Sequence, residues 1–229
     1  MYKTIGILGG MGAEATADVY LKIISLFQTK KKAILDSDFP EFIINSIPLH
    51  IVENNLDEQK AITMLTKGCK LIESAGADFI IISCNAAHKF IEPLRKSVKI
   101  PILSIPEEVA KVIKKDNREK ILVLAAEYTV ENHLYEKVFS DYGLEIYYPS
   151  TDEQKATNHV ILSVISGNKS LADKKRLIDI ILKNSPGING VILGCTELSL
   201  VLKREDIAFP LYDTSNILAE AAFNSASEK

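Results

Sequence analysis

The sequence is short of cysteine, of long apolar runs and of excess charge, and each shortage excludes a class of protein. Three cysteines among 229 residues, an odd number, argue against a disulfide scaffold. No Cys-x-x-Cys pair or His/Cys/carboxylate cluster has metal-ligand spacing, so we expect no metal site. No stretch approaches the roughly 18 apolar residues of a membrane-spanning helix. A net charge of −3 gives no reason to expect a nucleic-acid or membrane partner.

The amino terminus has no secretory pattern, because MYKTIGILGG passes directly into a strand-like run and a glycine turn. Together with the odd number of cysteines, this predicts a cytoplasmic protein in a reducing compartment. The apolar fraction of 47% is ordinary for a globular protein.

Short β-branched runs alternate with helical patterns along the whole chain. Runs such as TIGIL, DFIIIS and GVILG are typical of buried parallel strands, and amphipathic stretches follow them. This alternation predicts an α/β fold with parallel sheets flanked by helices. One stretch, TVENHLYEKVFSDYG, predicts a single helix over residues 129–143 that ends at a glycine.

The pattern occurs twice. KIPILSIPEEVAKVI parallels IAFPLYDTSNILAEA, and their prolines Pro101 and Pro210 are 109 positions apart (210 − 101). Cys84 and Cys195 are 111 positions apart (195 − 84). The repeat predicts two pseudo-symmetric lobes. We assign residues 1–100 and 210–229 to the N-terminal lobe and residues 101–209 to the C-terminal lobe, with helix 213–227 packing back on the first lobe.

Cys84 and Cys195 occupy matching places in the two halves. Each follows a predicted strand and precedes a helix, and open α/β sheets bind ligands at such strand ends. The positive end of a helix dipole there would lower the pKa of a thiol. One reactive thiol on each of two facing lobes predicts acid–base chemistry on both faces of one small substrate. Cys69 lies in mid-helix and is expected to be structural.

A lone cysteine is more often a buried core thiol than a reactive one. The neighbours of the two strand-end cysteines argue against that here, because Asn85, Thr196 and Glu197 are poor core residues and suit a polar ligand. Thr129 opens a helix and either caps it or contacts a ligand. His88 is expected to cap or pack rather than to catalyse.

The segment GGMGAEAT carries Gly10-x-Gly12-x-x-Ala15, a relaxed dinucleotide fingerprint. The second strand ends in Asn45-Ser46 without the carboxylate that a nicotinamide cofactor needs, so no such cofactor is expected. Backbone N–H groups in this turn suit a substrate carboxylate. A tight turn without a ligand is the other interpretation, and the residues leave both open.

GILGGMGAEAT, SCNAAH and GCTEL, in this order and spacing, resemble the aspartate/glutamate racemase family from end to end. The resemblance implies two Rossmann-like lobes with the site in the cleft, no cofactor, a homodimer, and interconversion of L- and D-aspartate. It assigns catalysis to Cys84 and Cys195. It assigns substrate binding to Met11 in the glycine turn, to the residues after each cysteine and to the second-lobe turn: Met11, Asn85, Ala86, Thr129 and Thr196. The glycine turn itself and the residues after Cys195 make Gly12 and Glu197 further candidates for substrate binding.

The sequence departs from the family at the position that holds the distal carboxylate. Relatives often place an arginine after the second strand, whereas SIPLHIVENN offers His50. Lys155 is the candidate for the second-lobe lysine. Ala86 stands where threonine is common, so a hydroxyl is lost but the backbone N–H remains.

Alternatives within the same fold are a hydantoin racemase, a maleate isomerase or an arylmalonate decarboxylase, and the last needs only one thiol. A non-catalytic two-lobed amino-acid-binding protein would use the same glycine turns but would leave the paired thiols unexplained. A redox switch is disfavoured because neither cysteine has a resolving partner nearby in sequence.

Overall fold

A computed structural model describes residues 2–51 and 56–228, in which strands and helices alternate. The strands are Ile5–Gly9 (β1), Phe42–Ser46 (β2), Phe79–Ile82 (β3), Ile102–Leu103 (β4), Lys120–Leu124 (β5), Glu145–Tyr147 (β6), Gly190–Leu193 (β7) and Leu211–Asp213 (β8). The helices are Ala13–Lys30 (α1), Glu58–Ser74 (α2), Ile91–Ser97 (α3), Ile105–Lys115 (α4), Glu127–Glu131 (α5), Glu136–Asp141 (α6), Thr151–Ile165 (α7), Leu171–Asn184 (α8) and Thr214–Ser227 (α9). None of these helices is long and apolar enough to cross a membrane.

The strands form two parallel sheets with the same internal order. The first runs β2-β1-β3-β4 and the second β6-β5-β7-β8. The inner strands β1, β3 and β7 are buried along their whole length, as expected where helices cover both faces of a parallel sheet. The predicted α/β architecture with two pseudo-symmetric lobes is confirmed. Cys84 and Cys195 follow β3 and β7, which occupy equivalent positions.

The two short edge strands depart from the predicted lobe division. β4 pairs with β3 in the first sheet, although residues 101–209 were assigned to the C-terminal lobe. β8 pairs with β7 in the second sheet, although residues 210–229 were assigned to the N-terminal lobe. The reason is that each strand completes the sheet of its own repeat, and only the helix after the strand packs against the other lobe. α9 packs against α1 of the first lobe, as predicted.

The lobes share one apolar core on the side of α1, α4 and α9. A single cluster of buried side chains runs from Ile5 and Phe27 in the first lobe through Val109 and Phe223 to Ile121 in the second. Edge-on stacking of Phe27 and Phe223, with centroids 4.9 Å apart, joins α1 to α9. This packing leaves the carboxyl ends of the inner strands as the place where the lobes face each other.

The predicted helix 129–143 is two short helices, α5 and α6. His133 adopts a left-handed backbone conformation, with φ of 50°, and this ends the helical run. The interruption puts the ring of Tyr135 in the core, edge-on to Phe139 at 5.3 Å. The hydroxyl of Tyr135 then reaches Asn85 in the other lobe.

Candidate active site

The glycine turn between β1 and α1 is shaped by close backbone approaches. Gly10 has φ of 91°, and a Cβ there would lie 2.3 Å from the carbonyl oxygen of Ile47. The hydroxyl of Thr16 accepts from the Gly10 N–H at 2.9 Å and donates to the Gly12 carbonyl at 2.8 Å. The hydroxyl oxygen of Thr16 also lies 3.0 Å from the hydroxyl oxygen of Ser83, which immediately precedes Cys84. The turn is therefore tied to the strand that carries the first thiol.

The N–H group of Gly12 binds a carboxylate that belongs to the protein itself. It donates to Oε1 of Glu197 across the cleft at 3.2 Å. Gly12 is the N-cap residue of α1, where exposed N–H groups and the helix dipole both favour an anion. The turn therefore presents its Gly12 N–H group to a carboxylate of the second lobe.

Cys84 lies just after β3 and just before a short 3₁₀ turn over Ala86–Phe90. The side chain of His88 fixes this turn, since its Nδ1 donates to the Cys84 carbonyl at 2.8 Å and its Nε2 accepts from the Ile105 N–H at 3.0 Å. Burial lowers the pKa of His88 to about 4. A neutral imidazole satisfies both contacts, so His88 packs and positions, as the sequence predicts.

Cys195 lies at the equivalent end of β7 and has a carboxylate partner. Its Sγ donates to Oε2 of Glu197 at 2.9 Å, and the Thr196 hydroxyl donates to the same oxygen at 3.1 Å. Together with Gly12, three donors hold this carboxylate in the cleft. Glu197 is only 4% exposed.

The pKa of each strand-end thiol is raised, whereas the sequence predicts that helix dipoles lower it. Burial raises the pKa of Cys84 to about 12, and this outweighs the N–H groups of Ala86 and Ala87 that favour the thiolate. Burial, followed by the charge of Glu197, raises the pKa of Cys195 well above its usual value. The prediction was wrong because desolvation of a closed cavity exceeds the effect of a few amide dipoles.

The two thiols line one narrow cavity between the lobes. Its walls come from the glycine turn, both cysteine turns and the start of α5: Met11, Ile51, Cys84, Asn85, Ala86, Ala126, Thr129, Gly194, Cys195, Thr196 and Glu197. Thr129 is fully buried there, and its hydroxyl has no hydrogen-bond partner in the part of the chain that the structure describes. A buried hydroxyl in this state is a candidate ligand for a bound molecule.

The cavity, the glycine turn and the paired cysteines agree with the comparison to known proteins. A model of the Asp/Glu/hydantoin racemase family matches residues 8–222. The chain belongs to this family.

Relatives cover the chain from end to end. The broad specificity amino-acid racemase RacX of Bacillus subtilis (strain 168) is 29% identical over 222 residues, which span 96% of this chain and 97% of that protein. The crystal structure of an aspartate racemase homologue from Pyrococcus horikoshii OT3 is 32% identical, with a TM-score of 0.83 over 99% of this chain and 100% of that one. Picrophilus torridus aspartate racemase shares the fold, with a TM-score of 0.86, 24% identity and coverage of 99% of this chain and 95% of that one.

The side chain of Asn85 links both lobes through hydrogen bonds to Thr214 and Tyr135. Its Nδ2 donates to the Thr214 hydroxyl at 3.0 Å, and its Oδ1 accepts from the Tyr135 hydroxyl at 2.5 Å. Thr214 donates in turn to the Leu193 carbonyl at 2.8 Å, at the end of the strand that leads to Cys195. The side chain of Asn85 therefore braces the two cysteine turns against each other. Tyr135 and Thr214 carry no sequence signal for this role, because each lies far along the chain from Asn85.

The two residues predicted for a distal carboxylate lie outside the cavity. His50 is exposed and lines a second, outer pocket that adjoins the cavity. That pocket is lined by Gly10, Met11, Gly12, Ala13, Pro48, Leu49, His50, Ile51, Ile165 and Glu197. Lys155 is 75% exposed on α7 and pairs with Asp152 at 3.6 Å. The rest of the predicted arginine stretch, residues 52–55, lies outside the described residues.

Two contacts across the cleft were not anticipated. Lys169 forms an ion pair with Glu14, next to the outer pocket. On another side, the hydroxyl of Tyr128 donates to Glu58 at 3.1 Å, and Glu58 is also paired with Lys89. These contacts hold the lobes together around the thiols. Within residues 2–51 and 56–228, no group of three or more His, Cys, Asp or Glu side chains is arranged to hold a metal ion.

Proposed function

We propose that the chain is a cofactor-independent amino-acid racemase in which Cys84 and Cys195 act as base and acid. The observation that carries this proposal is the convergence of the two thiols, from equivalent strand ends, on one narrow cavity. Membership in a racemase family supports it. Aspartate is the substrate that the sequence resemblance implies, and the name of the Bacillus relative makes a wider set of amino acids worth testing.

The chemistry needs a proton removed from one face of the α-carbon and another delivered to the opposite face. One cysteine, as thiolate, takes the α-proton, and the electron pair of the broken C–H bond remains on the carbanion next to the carboxylate. The other cysteine, as thiol, gives its proton to the opposite face. The roles exchange for the other enantiomer, and backbone N–H groups of both lobes hold the α-carboxylate.

Glu197 supplies a route to one of the thiolates. Its Oε2 is 2.9 Å from the Sγ of Cys195, within the range for direct proton transfer. Moving the thiol proton to Glu197 gives a thiolate and a neutral carboxylic acid, so the cavity keeps the same net charge. Cys84 has no carboxylate in hydrogen-bond contact among the described residues, and the N–H groups of Ala86 and Ala87 favour its thiolate instead.

Substrate entry requires the lobes to separate. The cavity between the thiols is narrow, and the Gly12–Glu197, Glu14–Lys169 and Glu58–Tyr128 contacts bridge the cleft. We propose that these contacts break when an amino acid enters and re-form around it. Closure then removes water and strengthens the hydrogen bonds to the developing carbanion.

The test is α-proton exchange in D₂O without added pyridoxal phosphate, followed by NMR for each enantiomer of a panel that includes aspartate and glutamate. Wild-type protein is expected to incorporate deuterium and to racemise at least one amino acid. Cys84→Ser and Cys195→Ser are each expected to abolish racemisation. The third cysteine provides a matched control, since Cys69 is buried inside α2 and Cys69→Ser should remain active. Normal racemisation by Cys195→Ser would refute the two-thiol mechanism.

A homodimer and a cytoplasmic location are further proposals, supported by the family resemblance and by three cysteines that all remain free in the structure. Light scattering at micromolar concentration tests the oligomeric state. A monomer mass for active protein would contradict the dimer.

A further inference from the structure

The inner cavity and the outer pocket share three lining residues, which form the junction between the two spaces. Met11, Ile51 and Glu197 belong to both. The inner cavity between the two thiols is narrow. A substrate side chain that passes these three residues enters the outer pocket.

The charge along this route is negative. Glu197 is the one carboxylate that lines both spaces among the described residues, and three donors from Gly12, Cys195 and Thr196 hold it there. If Glu197 takes the proton of Cys195, the negative charge moves to the thiolate and stays in the cavity. Every α-amino acid presents the same ammonium and carboxylate, so this charge discriminates between substrates only through the side chain.

The nearby basic side chains of the described residues are either paired with another carboxylate or exposed to solvent, so none is paired with Glu197. Lys169 is paired with Glu14, and Lys155 lies on an exposed face beside Asp152. His50 is the basic side chain that lines the outer pocket among the described residues, and it is exposed. Residues 52–55, with the sequence VENN, contain no lysine or arginine. A carboxylate at the end of a short side chain would thus lie near Glu197, with no lysine or arginine lining the pocket among the described residues.

Most of the other described residues that line the route are apolar. Pro48, Leu49 and Ile165 line the outer pocket, and Met11 and Ile51 line its junction with the cavity. An aliphatic or thioether side chain would displace water from these surfaces at no electrostatic cost.

We propose that the outer pocket receives the substrate side chain and that the preferred substrates are α-amino acids with uncharged, largely apolar side chains of about the length of methionine. This inference rests on the proposed racemase function, and it departs from the acidic substrate that the sequence resemblance implies. The charge of Glu197 beside this pocket is expected to reduce kcat/KM for aspartate about tenfold or more relative to methionine.

The experiment measures kcat/KM for α-deuterium exchange with methionine, leucine, aspartate and glutamate, using the full-length wild-type chain. Methionine or leucine should exceed both acidic amino acids. An aspartate or glutamate value equal to or above that of methionine would overturn the substrate class and leave the racemase proposal intact. No exchange with any amino acid would instead refute the racemase proposal, and this inference with it.

A charge-gain variant tests the pocket itself. His50→Arg places a permanent cation at the outer pocket and should raise the aspartate-to-methionine ratio of kcat/KM about tenfold. His159→Arg is the matched control, because His159 is an exposed residue of α7 that lines neither space, and it should leave the ratio unchanged. Equal ratios in His50→Arg and wild type would contradict the assignment of the outer pocket to the side chain.

Discussion

The turn after β3 and the turn after β7 occupy equivalent places in two equivalent sheets, yet they treat their thiols differently. Cys195 donates a hydrogen bond to Glu197, a carboxylate two residues further along. Cys84 is set among backbone N–H groups, and His88 fixes its carbonyl rather than its sulfur. The two thiols thus occupy equivalent positions but have different hydrogen-bonding neighbours.

Under the proposed mechanism, the two half-reactions would differ in their dependence on a neighbouring carboxylate. Cys195 would have Glu197 as its proton acceptor, whereas the Cys84 thiolate would be favoured by the N–H groups of Ala86 and Ala87. Burial raises the pKa of both thiols, so neither forms a thiolate readily at neutral pH in the empty cavity.

The largest expected effect on activity comes from removing Glu197, the proposed proton acceptor for Cys195. Glu197→Gln keeps an oxygen for the Gly12 N–H but cannot take a proton, and racemisation should fall about 1,000-fold. The pKa of both thiols should fall at the same time, because the charge of Glu197 raises them. Alkylation of the free protein by iodoacetamide should therefore become faster while turnover becomes slower.

Glu220→Gln is the matched control for this substitution, since Glu220 is an exposed residue of α9 paired with Lys30. Glu220→Gln should change neither the rate of racemisation nor the rate of alkylation by iodoacetamide. Unchanged racemisation in Glu197→Gln would remove the asymmetry between the two turns from the mechanism.

A smaller effect concerns the first turn and its stability. The pKa of His88 is about 4 when folded and 6.5 when free, so folding favours the neutral ring. The free energy of unfolding should therefore fall as pH drops from about 6.5 towards 4, by about 3 kcal/mol for this group. Urea denaturation of His88→Gln should show a correspondingly flatter dependence on pH.

His159→Gln, at an exposed site on α7, serves as the control and should keep the slope of the wild type. Parallel pH profiles for wild type and His88→Gln would show that the His88 ring does not titrate with unfolding.

The smallest expected effect concerns the brace between the turns. Tyr135→Phe removes the donor to Asn85 Oδ1 and leaves that buried oxygen without its partner, which costs about 1–2 kcal/mol in the free energy of unfolding. Tyr20→Phe is the comparison, since the ring of Tyr20 packs edge-on against Phe42 away from the cleft. Equal stability of the two variants would argue against the brace.

The sequence was sufficient for the fold and for the pair of thiols because both depend on local patterns. Strand-like runs, the glycine turn and the residues after each cysteine are contiguous in the chain. The Gly12–Glu197 contact joins residues 185 positions apart, and nothing near either residue indicates it. The raised pKa of the thiols was missed for the same reason, since burial of the cavity depends on how the lobes close.

Local patterns also failed where tertiary packing overrode them. Residues 129–143 have a helical pattern, but the left-handed turn at His133 divides them so that Tyr135 can reach Asn85. The sequence offers Lys155 as the second-lobe lysine, whereas in the described structure Lys169 pairs with Glu14 of the first lobe across the cleft. Only the folded chain distinguishes these two lysines.

The most direct test of the account follows each enantiomer separately in the two single-cysteine variants. If the thiols lie on opposite faces of one substrate, Cys84→Ser and Cys195→Ser should each exchange the α-proton of one enantiomer slowly, and the two variants should prefer opposite enantiomers. Single-turnover exchange in D₂O with pure L and pure D substrate measures this directly. Exchange of the same enantiomer by both variants would contradict the two-thiol geometry.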